Sequence, residues 1–159
     1  MNFKILGAFA AVALLSACDT PAPKTDGGGT GTTATTSTGI VPGSQEDLVA
    51  NVGDRVFYGY NQSSLVSDAK ATLDKQAAWL SKYQLNNVQI AGNCDERGTE
   101  EYNIALGQRR ASAARDYLVA KGVSSTRITT ISYGKDRPVA LGSTEDAYKQ
   151  NRNAITSVR

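Results

Sequence analysis

Residues 45–159 predict an α/β (α+β) domain, with helices packed on a mixed four-stranded sheet in the order β-α-β-α-β-α-β. Three observations carry this expectation. Short runs rich in β-branched and aromatic residues alternate with longer runs of helical period. Clusters of glycine, asparagine or serine punctuate the junctions. Hydrophobic residues make up 40% of the chain, enough for one modest core. Helices placed between strands supply the crossovers that parallel neighbours need.

The first strand is expected at Arg55-Val56-Phe57-Tyr58-Gly59-Tyr60, bounded by Gly53-Asp54 and Asn61-Gln62-Ser63-Ser64. Ser67 is the expected cap of a helix starting near Asp68, along which Ala69, Leu73, Ala77 and Leu80 recur at helical spacing. Asn86-Asn87 breaks the chain before a second strand, Val88 to Ala91, which ends at Gly92. A second helix runs from about Glu100 to Ala120. Thr99 is its N-cap, the acids Glu100 and Glu101 sit in its first turn, and Lys121-Gly122 is its stop. Arg127 to Tyr133 reads as a third strand. Ser143-Thr144-Glu145-Asp146 caps a short helix to about Gln150, and Ala154 to Val158 reads as the last strand.

Residues 1–44 have a different character. Met1-Asn2-Phe3-Lys4 is a short positive start, and Ile5 to Leu15 is an apolar run too short to span a bilayer but of secretory length. Leu15-Ser16-Ala17-Cys18 closes it and resembles the lipobox of bacterial lipoproteins. The expectation is a signal peptide at 1–17 and a lipid-attachment cysteine at Cys18, against the alternative of an ordinary secretory signal with a chance cysteine. Several acyl chains would anchor the chain stably, each buried CH₂ contributing about 0.8 kcal/mol. Residues 18–44 are then a lipidated N-terminus and tether. The tether carries Gly27-Gly28-Gly29 and a Thr/Gly/Ala stretch, and too few large apolar residues to order itself. About 25 such residues reach roughly 80 Å when extended, and about 25–30 Å as a coil. Asp19 directly follows the cysteine; in enterobacterial-type sorting an acid there favours the inner over the outer membrane.

The formal net charge is +2, and losing Lys4 with the leader brings it to +1, so charge makes no case for a nucleic-acid partner. The chain has no His, which removes the commonest general base and the commonest zinc ligand. No metal-ligand cluster or nucleophile motif stands in for it. A hydrolase is therefore disfavoured, and no cofactor is expected.

The stretch from Gly92 to Ala111 carries the chemistry. It is a strand end, a glycine-bounded polar loop and a helix N-terminus, where backbone N–H groups point outward. On a wheel of about 100° per residue with Leu106 at zero, Ala113, Tyr117 and Tyr102 fall within about 40°. Arg110 falls near +40°, inside that apolar face, and Arg115 lies opposite. A guanidinium on a buried face needs a partner. Asp95 is the candidate, either as a structural ion pair or as half of a site in which the arginine takes a ligand carboxylate.

Asp95-Glu96-Arg97-Gly98-Thr99, Glu101-Tyr102-Asn103, Leu106-Gly107, Arg109-Arg110-Ala111, Ile131 to Pro138 and Ala147 to Arg152 occur in the order and spacing that resemble the OmpA-like peptidoglycan-binding domain. The resemblance covers about Asp54 to Val158. It implies a non-catalytic domain that holds the diaminopimelate of the peptidoglycan stem peptide, with Asp95 for the amine and Arg110 for a carboxylate. Asn103 and Leu106 fall at further contact positions, and loop amides near Thr99 complete the site. For a lipid-anchored member it also implies an outer-membrane address and partners in the Tol system, TolB above all. The alternative is a wall-binding lipoprotein without Tol partners. The chain departs from the family pattern at Gly59 and Asn61, where acids are usual, and at Asn93 and Cys94, where His and Ala are usual. Cys94 is expected either as a small buried hydrophobe or as a reactive thiol.

Overall fold

A computed structural model describes residues 39–159. The expected signal peptide, Cys18 and the tether as far as residue 38 lie outside them. The described chain opens with α1 (Gln45–Asp47), which runs into a wide π-type turn over Leu48–Val52. Then come β1 (Arg55–Phe57), α2 (Ser67–Lys82), β2 (Val88–Asn93), α3 (Glu100–Ala120), β3 (Ile128–Gly134), α4 (Glu145–Asn151) and β4 (Asn153–Val158). The expected alternation is present, with α1 added in front of it.

The strands form one sheet in the order β1-β4-β2-β3. β4 lies antiparallel to both β1 and β2, while β2 and β3 are parallel through the α3 crossover. One face is apolar: Val88 and Ile90 of β2 and Ala154 of β4 are buried beneath α2 and α3, with Leu48, Leu73, Leu80 and Leu118 between the layers.

Two local expectations are corrected. The first strand ends at Phe57, not at Tyr60. Tyr58 N–H still donates to Arg152 O at 2.9 Å. The chain then turns, with Gln62 N–H on Gly59 O and Asn61 in the left-handed region at φ 54°. Ser67 is the first residue of α2, and the capping position is Val66, which has no side-chain oxygen to offer. Thr99 does cap α3: its Oγ1 accepts from Tyr102 N–H at 3.2 Å. Gly122 leaves that helix at φ 95°.

The wheel of α3 needs the larger correction. Its buried residues are Asn103, Leu106, Gly107, Arg110, Ala111, Ala114 and Leu118. Their mean direction lies about 75° from Leu106 on the wheel. Tyr102 is exposed and Tyr117 only half-buried, so the aromatics are not the centre of the buried face. Gly107 is the reason. A Cβ on Gly92 would fall inside contact distance of Gly107 O, and one on Gly107 would meet Ser132 Oγ and Gly92 O. Helix and strand thus touch backbone to backbone, and Arg110 lies within the buried face, about 35° from its centre.

Candidate functional site

Where β2 ends and α3 begins, a cleft of about 260 Å³ is lined by Asp95, Asn103, Leu106 and Arg110, together with Tyr60 and Arg97. Four of the five expected site residues therefore converge. Thr99 does not line the cleft: it caps α3, and its carbonyl accepts from Asn103 Nδ2 at 3.0 Å. The same Nδ2 donates to Arg97 O at 2.8 Å, so Asn103 holds the loop against the helix.

Arg110 is fully buried at 0% exposure. Its Nε donates to Gln62 O at 2.8 Å, Nη1 to Asn93 O at 2.8 Å and Cys94 Sγ at 3.4 Å, and Nη2 to Gly59 O at 3.1 Å. Four of the five guanidinium N–H groups are thereby used, leaving one on Nη2. Every acceptor is neutral. Tyr58 lies beneath the cation, its ring centre 5.3 Å away, and its hydroxyl donates to Arg110 O at 2.9 Å. Burial lowers the pKa of the guanidinium, and burial raises that of Tyr58, so the phenol stays protonated.

The expected pairing of Asp95 with Arg110 is not what the structure shows. Asp95 pairs with Arg97, at 2.6 Å from Nη2, and with Arg152, at 3.2 Å from Nη1. Burial pushes its carboxyl up, but the hydrogen bonds from Arg97 and Arg152 outweigh burial and hold it below the usual range. Arg152 is buried, donating also to Tyr58 O at 3.2 Å and Glu145 Oε1 at 2.9 Å. Arg97 lies between two aromatic rings, Tyr60 at 4.2 Å and Tyr148 at 4.3 Å.

Sequence reasoning missed Arg152 and Arg97 as partners of Asp95. Arg152 lies 57 residues from Asp95, a contact no local spacing signals. Arg97 sits two residues beyond Asp95, and only that proximity could have suggested it.

The departures have structural counterparts. Gly59 contributes its carbonyl to Arg110, and Asn61 accepts from the hydroxyl of Tyr102 through its side chain. Asn93 is buried, with Nδ2 on Asn153 Oδ1 at 2.8 Å, and so acts in the fold rather than at the cleft surface. Cys94 is buried, and burial raises its thiol pKa, which fits the small-hydrophobe reading. Among the described residues, no group of His, Cys, Asp and Glu is placed to hold a metal ion. No described helix is long and apolar enough to cross a membrane.

The fold and site define a small α/β module with a buried cation under a cleft, between the end of a strand and a helix N-terminus. The OmpA family model matches residues 57–152. A peptidoglycan-associated lipoprotein of Rhizobium meliloti (strain 1021) is 55% identical over 115 residues, covering 72% of this chain and 65% of that protein's length. One from Mesorhizobium japonicum is 52% identical over 117 residues, covering 74% of this chain and 70% of the relative. The crystal structure of the peptidoglycan-associated lipoprotein from Burkholderia pseudomallei superposes with a TM-score of 0.65 at 39% identity, over 67% of this chain and 90% of that one. The C-terminal domain of Helicobacter pylori MotB shares the fold, with a TM-score of 0.62 at 17% identity over 67% of this chain and 84% of that one. The chain belongs to the OmpA family, in its peptidoglycan-associated lipoprotein branch.

Proposed function

We propose that this chain is a lipid-anchored, non-catalytic tether that binds peptidoglycan through meso-diaminopimelate and links the outer membrane to the cell wall. Arg110 carries the reading. It is a buried guanidinium under a cleft, has no carboxylate within ion-pair distance among the described residues, and keeps one N–H unspent. Desolvating a cation among neutral dipoles is costly, and an anionic ligand group is what recovers that cost. Diaminopimelate supplies a carboxylate for Arg110 and an ammonium for Asp95. Leu106 offers apolar surface to the ligand's methylene chain, and Asn103 holds the loop that frames it.

At the other end, cleavage after Ala17 and acylation of Cys18 supply the anchor, and the segment that follows supplies the reach. Relatives named peptidoglycan-associated lipoproteins support the outer-membrane address, although Asp19 fits inner-membrane retention under enterobacterial-type sorting. The Tol-system partnership, with TolB foremost, belongs to the same reading and is tested by co-purification from cross-linked envelopes.

The deciding experiment sediments the full chain, solubilised in detergent, with diaminopimelate-type sacculi. Binding that free meso-diaminopimelate displaces is the expected result; failure to sediment, or indifference to the competitor, overturns the proposal. Arg110→Lys keeps the charge but loses the planar fork, and should weaken sacculus binding by about tenfold or more. Alanine is the poorer probe, because it strands the carbonyls of Gly59, Gln62 and Asn93.

A further inference from the structure

Resting on the wall-binding reading, we infer that Arg97 is a built-in substitute for the ligand's ammonium group, and that the ligand enters by exchanging one cation for the other on Asp95. Four hydrogen bonds reach the Asp95 carboxylate. Arg97 supplies three of them, from its backbone N–H at 3.2 Å, Nε at 3.3 Å and Nη2 at 2.6 Å. Arg152 supplies the fourth at 3.2 Å.

The two arginines are held differently. Arg152 is 6% exposed, and the carbonyl of Tyr58 and the carboxylate of Glu145 secure it. Arg97 is 35% exposed and lies at the mouth of the cleft. Apart from Asp95, among the described residues its guanidinium meets only the faces of Tyr60 and Tyr148 and, at 3.6 Å, Glu145. Asp95 thus carries one fixed cation and one that can leave.

What the Arg97 side chain occupies is a receptor for a positive charge: a carboxylate floor with two aromatic walls. Such a cage attracts any compact cation, because the ring faces are electron-rich and the carboxylate accepts N–H donors. A solvent ammonium cannot make both contacts while the guanidinium holds them. Each Asp95 oxygen already carries an Arg97 side-chain bond, so displacing that side chain frees an acceptor site on both. Affinity for an amine-bearing ligand is then the difference between two cations, and Arg97 sets the threshold that the ligand's amine must exceed. A dicarboxylate without amines has nothing to exchange.

The test titrates the full chain and its Arg97→Gln and Arg97→Ala variants, in detergent and without sacculi, with one of two soluble probes by calorimetry. These are meso-diaminopimelate and pimelate, the same carbon chain without the amines. Circular dichroism and thermal melting verify that each variant is folded. Both variants should bind diaminopimelate about five-fold more tightly than the unaltered chain, the gain expected from removing one partly exposed competing ion pair. They should bind pimelate no more tightly. A shift of equal size for both probes, no shift, or weaker binding of diaminopimelate overturns the inference. So does failure of both variants to fold, since exchange requires a dispensable side chain. An unaltered chain that binds diaminopimelate, beside variants that do not differ from it, sinks this inference alone. An unaltered chain that binds no diaminopimelate sinks the wall-binding reading with it.

Discussion

Arg152 Nη1 lies 3.2 Å from Asp95 Oδ2, with both side chains only 6% exposed, and so joins the residue before β4 to the loop after β2. That contact fixes where Asp95 stands at the cleft. Replacing one member of a buried pair leaves the other charge under-compensated. Arg152→Ala should therefore cost about 3 kcal/mol of stability, and lower the urea midpoint without changing the slope. A loss under about 1 kcal/mol would mean the pair is effectively solvated, as surface pairs are.

The close approach of Gly92 and Gly107 makes a second prediction. Judged as an isolated helix position, Gly107→Ala should stabilise α3 by about 1 kcal/mol. The added methyl would instead run into Ser132 Oγ and Gly92 O. The expected outcome is a net loss of about 2 kcal/mol, and weaker sacculus binding because α3 lifts off the strand end. Chemical denaturation decides it, and any net gain in stability contradicts the backbone contact.

Asp47 makes the fold acid-sensitive at the end away from the cleft. Its carboxylate accepts from Gly43 N–H at 2.8 Å, Asn51 Nδ2 at 2.7 Å and Trp79 Nε1 at 2.9 Å. The Gly43 backbone bond first, then those from Asn51 and Trp79, lower its pKa to about 2, below the ordinary 3.8 of an aspartate. A depressed carboxylate contributes its stability in full above the unfolded value and loses it as pH falls through the folded one. The window is therefore about pH 4 down to about pH 2. Melting temperature followed from pH 6 to pH 2 should drop more steeply in the unaltered chain than in Asp47→Asn. Parallel curves would remove Asp47 from the acid response.

The proposed lipid attachment at Cys18 has its own test. Cys18→Ser should move the protein from the membrane pellet to the soluble fraction, and should abolish incorporation of labelled palmitate. Undiminished sedimentation of the serine variant with membranes would rule out acylation at this residue.

The bounds of α3 were legible because helix ends are local. Thr99 with Glu100 and Glu101, and Lys121-Gly122, state where a helix starts and stops whatever it packs against. Tyr58 to Tyr60 read as strand on the same local grounds, yet the chain leaves the ladder there, because the Arg110 guanidinium takes the carbonyls of Gly59 and Gln62. The face of α3 was misread for a related reason. Tyrosines look apolar on a wheel, but the close approach at Gly107 turns the face of Gly107, Ala111 and Ala114 toward the sheet instead.

By itself the sequence determined the alternation of strands and helices, the cap of α3, and the placing of Asp95 and Arg110 at one strand-to-helix junction, while Asn103 and Leu106 came with the family resemblance. Those features depend on neighbours within a few residues, or on one helix face. Tertiary structure alone decided which charges neutralise one another. Arg110 faces carbonyls from the turn after β1 and the end of β2, while Asp95 takes Arg152 from 57 residues away. Partner choice for a buried charge is set by which dipoles and ions the fold brings within about 3 Å, and sequence spacing carries no record of that distance.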